Sequence, residues 1–200
     1  MTNNNEIKKI KKTKFNLIVL GEGDVGKTSL IAKIKGKDIE EPTISTVGID
    51  YHKDERTFEG VKYKYKIFDT AGQERFRSIA TSTIKSADGF LIVFAVNCVR
   101  SFEQVKYWIS QVEEETDLQK KPSILVGNKI DLPRKVSNEE GLKYSQDLGI
   151  KYFETSALTG YNVKEVFDEL YKDIYNSNIT GNENLKIRKV SKGKKKKKCC

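Results

Sequence analysis

Cysteine is scarce in this chain. There are three, and two of them are the last residues, Cys199 and Cys200. No disulfide framework is available, which implies a reducing compartment. Cys98 has no Cys or His neighbour at ligand spacing, so a thiolate metal centre is excluded there. Histidine is scarcer still: His52 is the only one, and it falls in a strand-like stretch where no chemical role attaches to it. No apolar run approaches the ~18 residues that a bilayer span requires. The N-terminus carries lysines but no apolar signal core, which argues against secretion.

What the chain has in abundance is positive charge, unevenly placed. The formal net charge is +9. Residues 1–14 hold five Lys and one Glu, and residues 182–200 hold eight Lys, one Arg and one Glu, which leaves the body near −3. A basic character confined to the ends argues for a charged tail and against a nucleic-acid-binding surface, so no nucleic-acid partner is expected. Two hundred residues suit one domain with a sizeable core. The expected organisation is a disordered basic arm over 1–13, a domain over 14–177, and a flexible polybasic tail over 178–200.

From Phe15 the chain alternates strand and helix signals. Residues 15–20 form a short apolar run. Val61 to Phe68 alternates apolar and polar, and Val47 to Phe58 also has strand character; Glu59-Gly60 between them predicts a tight antiparallel hairpin. Phe90 to Val96 and Ile124 to Gly127 are continuous apolar runs that suit strands buried on both faces. Ser101 to Glu115 carries Phe102, Val105, Trp108, Ile109 and Val112 at helical spacing, with Ser101 as the expected N-cap. Helical patterns recur near 138–147 and 162–175, with a short strand at Tyr152-Phe153 between them. Such alternation predicts a three-layer α/β domain with a mostly parallel sheet, whose ligand sits beyond the carboxyl ends of the strands. Tyr63 and Tyr65 read as a packed strand face rather than a platform for bases.

The stretch Gly21-Glu22-Gly23-Asp24-Val25-Gly26-Lys27-Thr28 fits the phosphate-binding P-loop pattern. It lies between the first strand and a helical run that begins with Ser29, as that motif requires. Glycines let successive N–H groups turn toward one centre, and the helix N-terminus adds the positive end of its dipole. Lys27 would reach the outer phosphates, and Thr28 would offer its hydroxyl to a magnesium ion. Three further motifs each follow a predicted strand. Asp69-Thr70-Ala71-Gly72-Gln73-Glu74 supplies a carboxylate for magnesium, a glycine N–H for a terminal phosphate, and a glutamine to orient an attacking water. Asn128-Lys129-Ile130-Asp131 supplies a carboxylate that can accept two hydrogen bonds from the guanine edge, a pairing adenine cannot offer; a mismatch of that kind is worth roughly 10⁴–10⁵ in discrimination. Asn128 can tie this loop to the P-loop, and the Lys129 stem can lie along the base. Glu154-Thr155-Ser156-Ala157 closes the set, with the Ala157 N–H as a donor to guanine O6.

Together these motifs resemble the Ras superfamily of small GTPases, and most closely its Rab family, over about residues 14–177. Residues 44–51 are similar to the Rab effector loop, in which Thr46 matches the threonine that reads the γ-phosphate and completes the magnesium shell. Residues 66–76 are similar to the Rab stretch leading into switch II, and Cys199-Cys200 matches the Rab prenylation terminus. The resemblance implies a six-stranded sheet with one antiparallel edge strand, flanked by helices. It implies Mg2+, with GTP and GDP as substrate and product. It also implies a nucleotide site of Gly21, Gly23, Asp24, Val25, Gly26, Lys27, Thr28, Ser29, Thr46, Asp69, Gly72, Asn128, Lys129, Asp131, Ser156 and Ala157, in which Gln73, Lys27 and Thr46 serve turnover. Partners implied are an exchange factor, a GTPase-activating protein, effectors and a prenyl chaperone, acting on a monomer. The chain departs from the family at Ile39 (usually an aromatic against guanine), at Phe68 (usually Trp), at residues 83–87, and at Ala95 (usually Asp).

A slow hydrolytic switch is the expected activity, since the switch loops hold no evident arginine finger and a partner would supply that cation. A GTP-binding module with little turnover, acting as an effector scaffold, is the alternative. An ATP-using enzyme would require Asp131 to be irrelevant. Lys194 to Lys198 before the two terminal cysteines suit a lysine-assisted lipid anchor; the resemblance implies that both thiols are prenylated, on the cytoplasmic face of a membrane with cycling to the cytosol, and a role in vesicle trafficking.

Overall fold

Six strands form one sheet in the order β2-β3-β1-β4-β5-β6. The structure is a computed structural model and describes residues 12–37, 49–70 and 77–191. β1 (Lys14–Leu20), β3 (Val61–Thr70), β4 (Gly89–Ala95), β5 (Ser123–Asn128) and β6 (Lys151–Glu154) are parallel along the sheet. β2 (Ile49–Phe58) is the antiparallel edge strand, paired to β3 from Ile49↔Thr70 to Phe58↔Val61. Every residue of β4 and β5 is buried, as their unbroken apolar sequences demand of strands covered on both faces. The hairpin turn Glu59-Gly60 has positive φ at both positions, 50° and 76°, the geometry that a two-residue connection between twisted strands favours.

Among the described residues six α-helices flank the sheet: α1 (Lys27–Ile34), α2 (Arg77–Ser86), α3 (Val99–Glu103), α4 (Val105–Glu115), α5 (Asn138–Asp147) and α6 (Val163–Ser191). On one face, α1 and α6 pack over Leu17, Val19, Tyr63, Tyr65 and Ile67. On the other, Ile84 of α2 and Trp108, Ile109 and Val112 of α4 pack over Ile18, Leu20, Phe90, Ile92 and Phe94. Period-two alternation in β1 therefore feeds two separate cores. Helix α5 starts with a capping box: Ser137 Oγ accepts from the Glu140 N–H at 3.1 Å while the Glu140 carboxylate accepts from the Ser137 N–H at 2.7 Å. Those bonds hold the Glu140 carboxyl below its usual range.

Two expectations need correcting. The helix predicted from Ser101 to Glu115 is two helices that meet at Gln104, and Ser101 is not an N-cap. Ser101 is buried within α3, where its Oγ accepts from the Ala95 N–H at 3.0 Å and donates to the Cys98 carbonyl at 2.7 Å. A short hydroxyl that can bond a carbonyl three residues back need not sit at a helix start. The last helix, predicted near 162–175, runs on to Ser191. Its polar residues can extend a helix whose early turns are already fixed by packing, because propagation is far easier than nucleation.

The first half of α6 is clasped to the inner face of the β2–β3 hairpin. Tyr65 Oη donates to the Tyr171 carbonyl at 3.1 Å, and Tyr171 Oη donates to Asp54 at 2.8 Å. Arg56 bonds Asp168 at 3.0 Å and Asp54 at 2.8 Å, with its guanidinium over the Tyr171 ring. Phe58 stacks on Tyr175 with centroids 4.7 Å apart.

Candidate nucleotide-binding site

The P-loop connects β1 to α1 at the carboxyl end of the sheet. Its backbone is forced. Gly21 has φ 143°, and a Cβ there would stand 2.2 Å from the Val93 carbonyl oxygen; Gly26 has φ 96°, and its Cβ would stand 2.4 Å from Asn128 Nδ2. Only glycine fits both the conformation and the space. Gly26 is also the N-cap of α1 and makes no side-chain cap hydrogen bond, and the half-buried Ser29 stands in the first turn, at the helix end where the dipole favours an anion. Asp24 adopts φ 61° in the same loop with its side chain fully exposed.

Lys27 is the charged centre. Its side chain is buried, and Nζ donates to the carbonyls of Gly21 at 2.9 Å and Glu22 at 2.7 Å. Burial pushes its pKa down to about 8, against the pull of Asp69, Glu22 and Asp24. Thr28 Oγ1 lies 2.6 Å from Asp69 Oδ2, which brings the first helical turn to the end of β3. Thr70 secures that strand end by donating to the Val19 carbonyl at 2.8 Å.

Asn128, at the end of β5, is fully buried and joins three loops. Its Nδ2 donates to the Val25 carbonyl of the P-loop at 2.9 Å. Its Oδ1 accepts from Thr155 Oγ1 at 3.0 Å and from the Ala157 N–H at 3.1 Å. The Ala157 N–H expected to meet a base is thus engaged by Asn128 in this structure. Asp131 is set by Ser156, whose Oγ donates to Oδ1 at 2.5 Å. Lys129 takes φ 67° and places Nζ 3.4 Å from the Asp24 carboxylate, a second link between the two loops. Thr46, Gly72 and Gln73 lie outside the described residues, as do Ile39, Cys199 and Cys200.

The link from Asn128 to the P-loop that the sequence reading expected falls on the Val25 carbonyl, while the role of Thr155 was missed. No spacing rule reveals them, since Asn128 meets partners 27 and 103 residues away. At Ala95, where a carboxylate would stand in the family pattern, the Ser101 hydroxyl binds the backbone N–H instead.

The donor set suits magnesium. Among the described residues no group of three or more His, Cys, Asp or Glu converges to hold a metal. The hydroxyl of Thr28 and the carboxylate of Asp69 meet next to the buried Lys27. Magnesium is commonly held by one or two carboxylates together with substrate phosphates, so these two oxygens fit it.

The Ras family model matches residues 16–176 of this chain. The chain belongs to the Ras family. Its relatives put it on the Rab branch of that superfamily of small GTPases. Ras-related protein Rab-8B of Homo sapiens is 41% identical over 162 residues, which cover 80% of this chain and 78% of that protein. Rab-8 of Diplobatis ommata is 40% identical over 181 residues, covering 89% and 86%. Rab-13 of Canis lupus familiaris is 38% identical over 162 residues, covering 80% and 79%. The six-stranded sheet with its one antiparallel edge is the architecture expected of a Rab-type GTPase.

Proposed function

We propose that this Rab-type GTPase is a membrane-anchored switch that binds GTP, hydrolyses it slowly to GDP and phosphate, and acts in vesicle trafficking. The observation that carries the reading is Asn128. One buried amide holds the phosphate loop at Val25 and the Ala157 loop together, beside an Asp131 already aimed by Ser156. Phosphate grip and base reading are thereby built as one rigid unit.

In this reading Lys27 exchanges its carbonyl partners at Gly21 and Glu22 for phosphate oxygens. The amides from Gly23 to Ser29 donate to the α- and β-phosphates, and Asp131 accepts from the guanine edge. Thr28, Asp69 and Thr46 would hold magnesium, which when bound neutralises charge building on the phosphates. Gln73 orients the water, and Gly72 offers its N–H to the γ-phosphate. Double prenylation of Cys199 and Cys200, assisted by the lysine run before them, anchors the chain.

Titration with labelled GDP, GTP and ATP in magnesium tests the nucleotide reading. GDP and GTP should bind far more tightly than ATP, and Asp131→Asn should erase the discrimination. Equal affinity for ATP would refute the role of Asp131. Gln73→Leu should abolish single-turnover hydrolysis while leaving binding intact. If wild type fails to turn over even with an activating protein, the chain is a GTP-binding scaffold. Removal of the two terminal cysteines should release the protein to the cytosol.

A further inference from the structure

The two basic ends of this chain meet the folded body side by side. Lys12, just ahead of β1, is fastened at the end of the sheet away from the phosphate loop. Its Nζ donates to Asp88 Oδ1, while Asp88 Oδ2 accepts from the Asn16 N–H at 2.8 Å. The same ammonium stands 5.5 Å from the centroid of the Phe15 ring. The Lys12 carbonyl accepts from Asn178 Nδ2 of α6 at 3.3 Å. Residues 1–11 therefore join the body against α6. Here α6 passes the amino ends of two strands: a Cβ on Gly89 of β4 would meet Ile174, and Lys151 of β6 pairs with Asp173 at 2.7 Å.

From Asn178 the helix runs on to Ser191, about 20 Å further. It carries Lys186, Arg188 and Lys189 on the way to Lys192 and Lys194 to Lys198. Ahead of Lys12 stand Lys8, Lys9 and Lys11, with Glu6 the one acidic residue among them. Four residues of chain, the separation of Lys8 from Lys12, span at most about 14 Å. The arm lysines can thus come within a Debye length, about 8 Å at physiological salt, of the end of α6. Asp88, Asp117 and Asp173 at this end each already hold a lysine outside residues 1–11. The rest of the body is net negative, so an anionic surface attracts the molecule through this end.

We propose that the N-terminal arm is the second half of a two-part membrane contact: Lys8, Lys9 and Lys11 bind anionic lipid headgroups beside the end of α6 and the polybasic tail, with the nucleotide loops turned away from the bilayer. The fastening of Lys12 to Asp88 and Asn178 is what sets both basic segments at one end of the fold. Once the tail is on the bilayer, the arm meets headgroups at a high effective concentration, so even a few lysines add to retention. A lipid surface fits better than a nucleic acid, because the cysteines read above as lipidated follow α6 from this same end. The inference deepens the reading of the chain as a membrane-anchored switch, and rests on it.

The test uses the full chain, GDP-loaded and with unmodified cysteines, co-sedimented at low salt with vesicles of phosphatidylcholine and phosphatidylserine in equal parts. One variant reverses Lys8, Lys9 and Lys11 to Glu. A control reverses the exposed helix lysines Lys106, Lys143 and Lys172 to Glu, which gives the same net charge and leaves the tail intact. The arm variant should bind the vesicles about tenfold or more weakly, with the control within about twofold of wild type. Equal losses in both variants, or an arm variant that binds like wild type, would overturn the proposal. So would a wild type that ignores the vesicles and binds single-stranded RNA through the same lysines, the other partner such a cluster suits. Acetylation of the wild-type chain gives a second readout: vesicles should protect Lys8, Lys9 and Lys11 and spare the three control lysines, and the reverse pattern would count against the arm. Release of the cellular protein on removal of Cys199 and Cys200 is followed alongside. Release there, with vesicle binding indifferent to the arm, sinks this proposal alone, whereas retention without the cysteines sinks the anchor reading beneath it.

Discussion

At the carboxyl ends of its strands this sheet buries Lys27, Asp69, Asn128, Thr155 and Ser156; at the opposite end it buries Phe15, Tyr63, Tyr65, Tyr171 and Tyr175. The first group is polar, bonded through long-range contacts, and set on a backbone bent into left-handed conformations at Asp24, Gly26 and Lys129. Non-glycine residues held there cost on the order of 1–3 kcal/mol each. The second group is a lattice of rings, among them Phe15 against Tyr65 at 5.5 Å, Tyr63 against Tyr175 at 5.2 Å and Tyr65 against Tyr171 at 4.2 Å. Such pairs add roughly 0.5–1.5 kcal/mol each beyond their burial. The contrast teaches a division of labour. The aromatic end supplies stability that lets the other end keep a buried ammonium and a strained loop.

Substitutions at each end can break this contrast. The largest loss is expected for Gly21→Ala, whose new methyl would strike the Val93 carbonyl at 2.2 Å. Backbone cannot retreat cheaply, so thermal denaturation should show a drop of more than about 4 kcal/mol. Gly23→Ala is the matched control, since nothing lies within 4 Å of its Cβ, and its melting temperature should be unchanged; an equal drop in both would show that loop crowding is not the cause. Next comes Tyr171→Ala, which removes a buried ring, its bond to Asp54 and the stacked guanidinium of Arg56. Urea unfolding should lose about 3–5 kcal/mol while GDP affinity of the folded protein stays the same. A fall in affinity would tie the two ends together.

Asn128→Ala should do the reverse. Deleting the amide frees the Val25 carbonyl, Thr155 Oγ1 and the Ala157 N–H together. Calorimetric titration should show GDP affinity weakened by about a hundredfold, with the larger effect on binding rather than on unfolding. The smallest effect is on pH dependence. Lys27 in the free protein loses its proton as pH rises through about 8. The neutral amine attracts phosphate poorly, so affinity should be flat below that value and fall by up to about tenfold per unit above it. Lys27→Arg, whose charge does not titrate, should flatten the profile. A wild-type affinity that holds constant from pH 7 to 10 would show that Lys27 keeps its charge in the free protein.

Much of this was legible from residue order. The P-loop, the strand ends at Asp69 and Asn128, the hairpin turn at Glu59-Gly60 and both buried strands follow from local pattern, because a period, a glycine pair or an apolar run constrains the backbone within a few residues. The break at Gln104, the inward turn of Ser101 and the length of α6 were not legible. Ser101 turns in because the end of β4, across the fold, offers it the Ala95 N–H.

Order along the chain, by itself, determined which groups are present: a lysine and glycines in the P-loop pattern, the carboxylates of Asp69 and Asp131, and the thiols of Cys199 and Cys200. Only tertiary structure decided that the amide of Asn128 would also gather Thr155 and Ala157, and that Lys53, Lys62, Lys64 and Lys66 would share one face of the hairpin. Local sequence sets the conformation of a segment. Which segments meet, and which faces stay bare, is set by how two cores fill the two sides of one sheet.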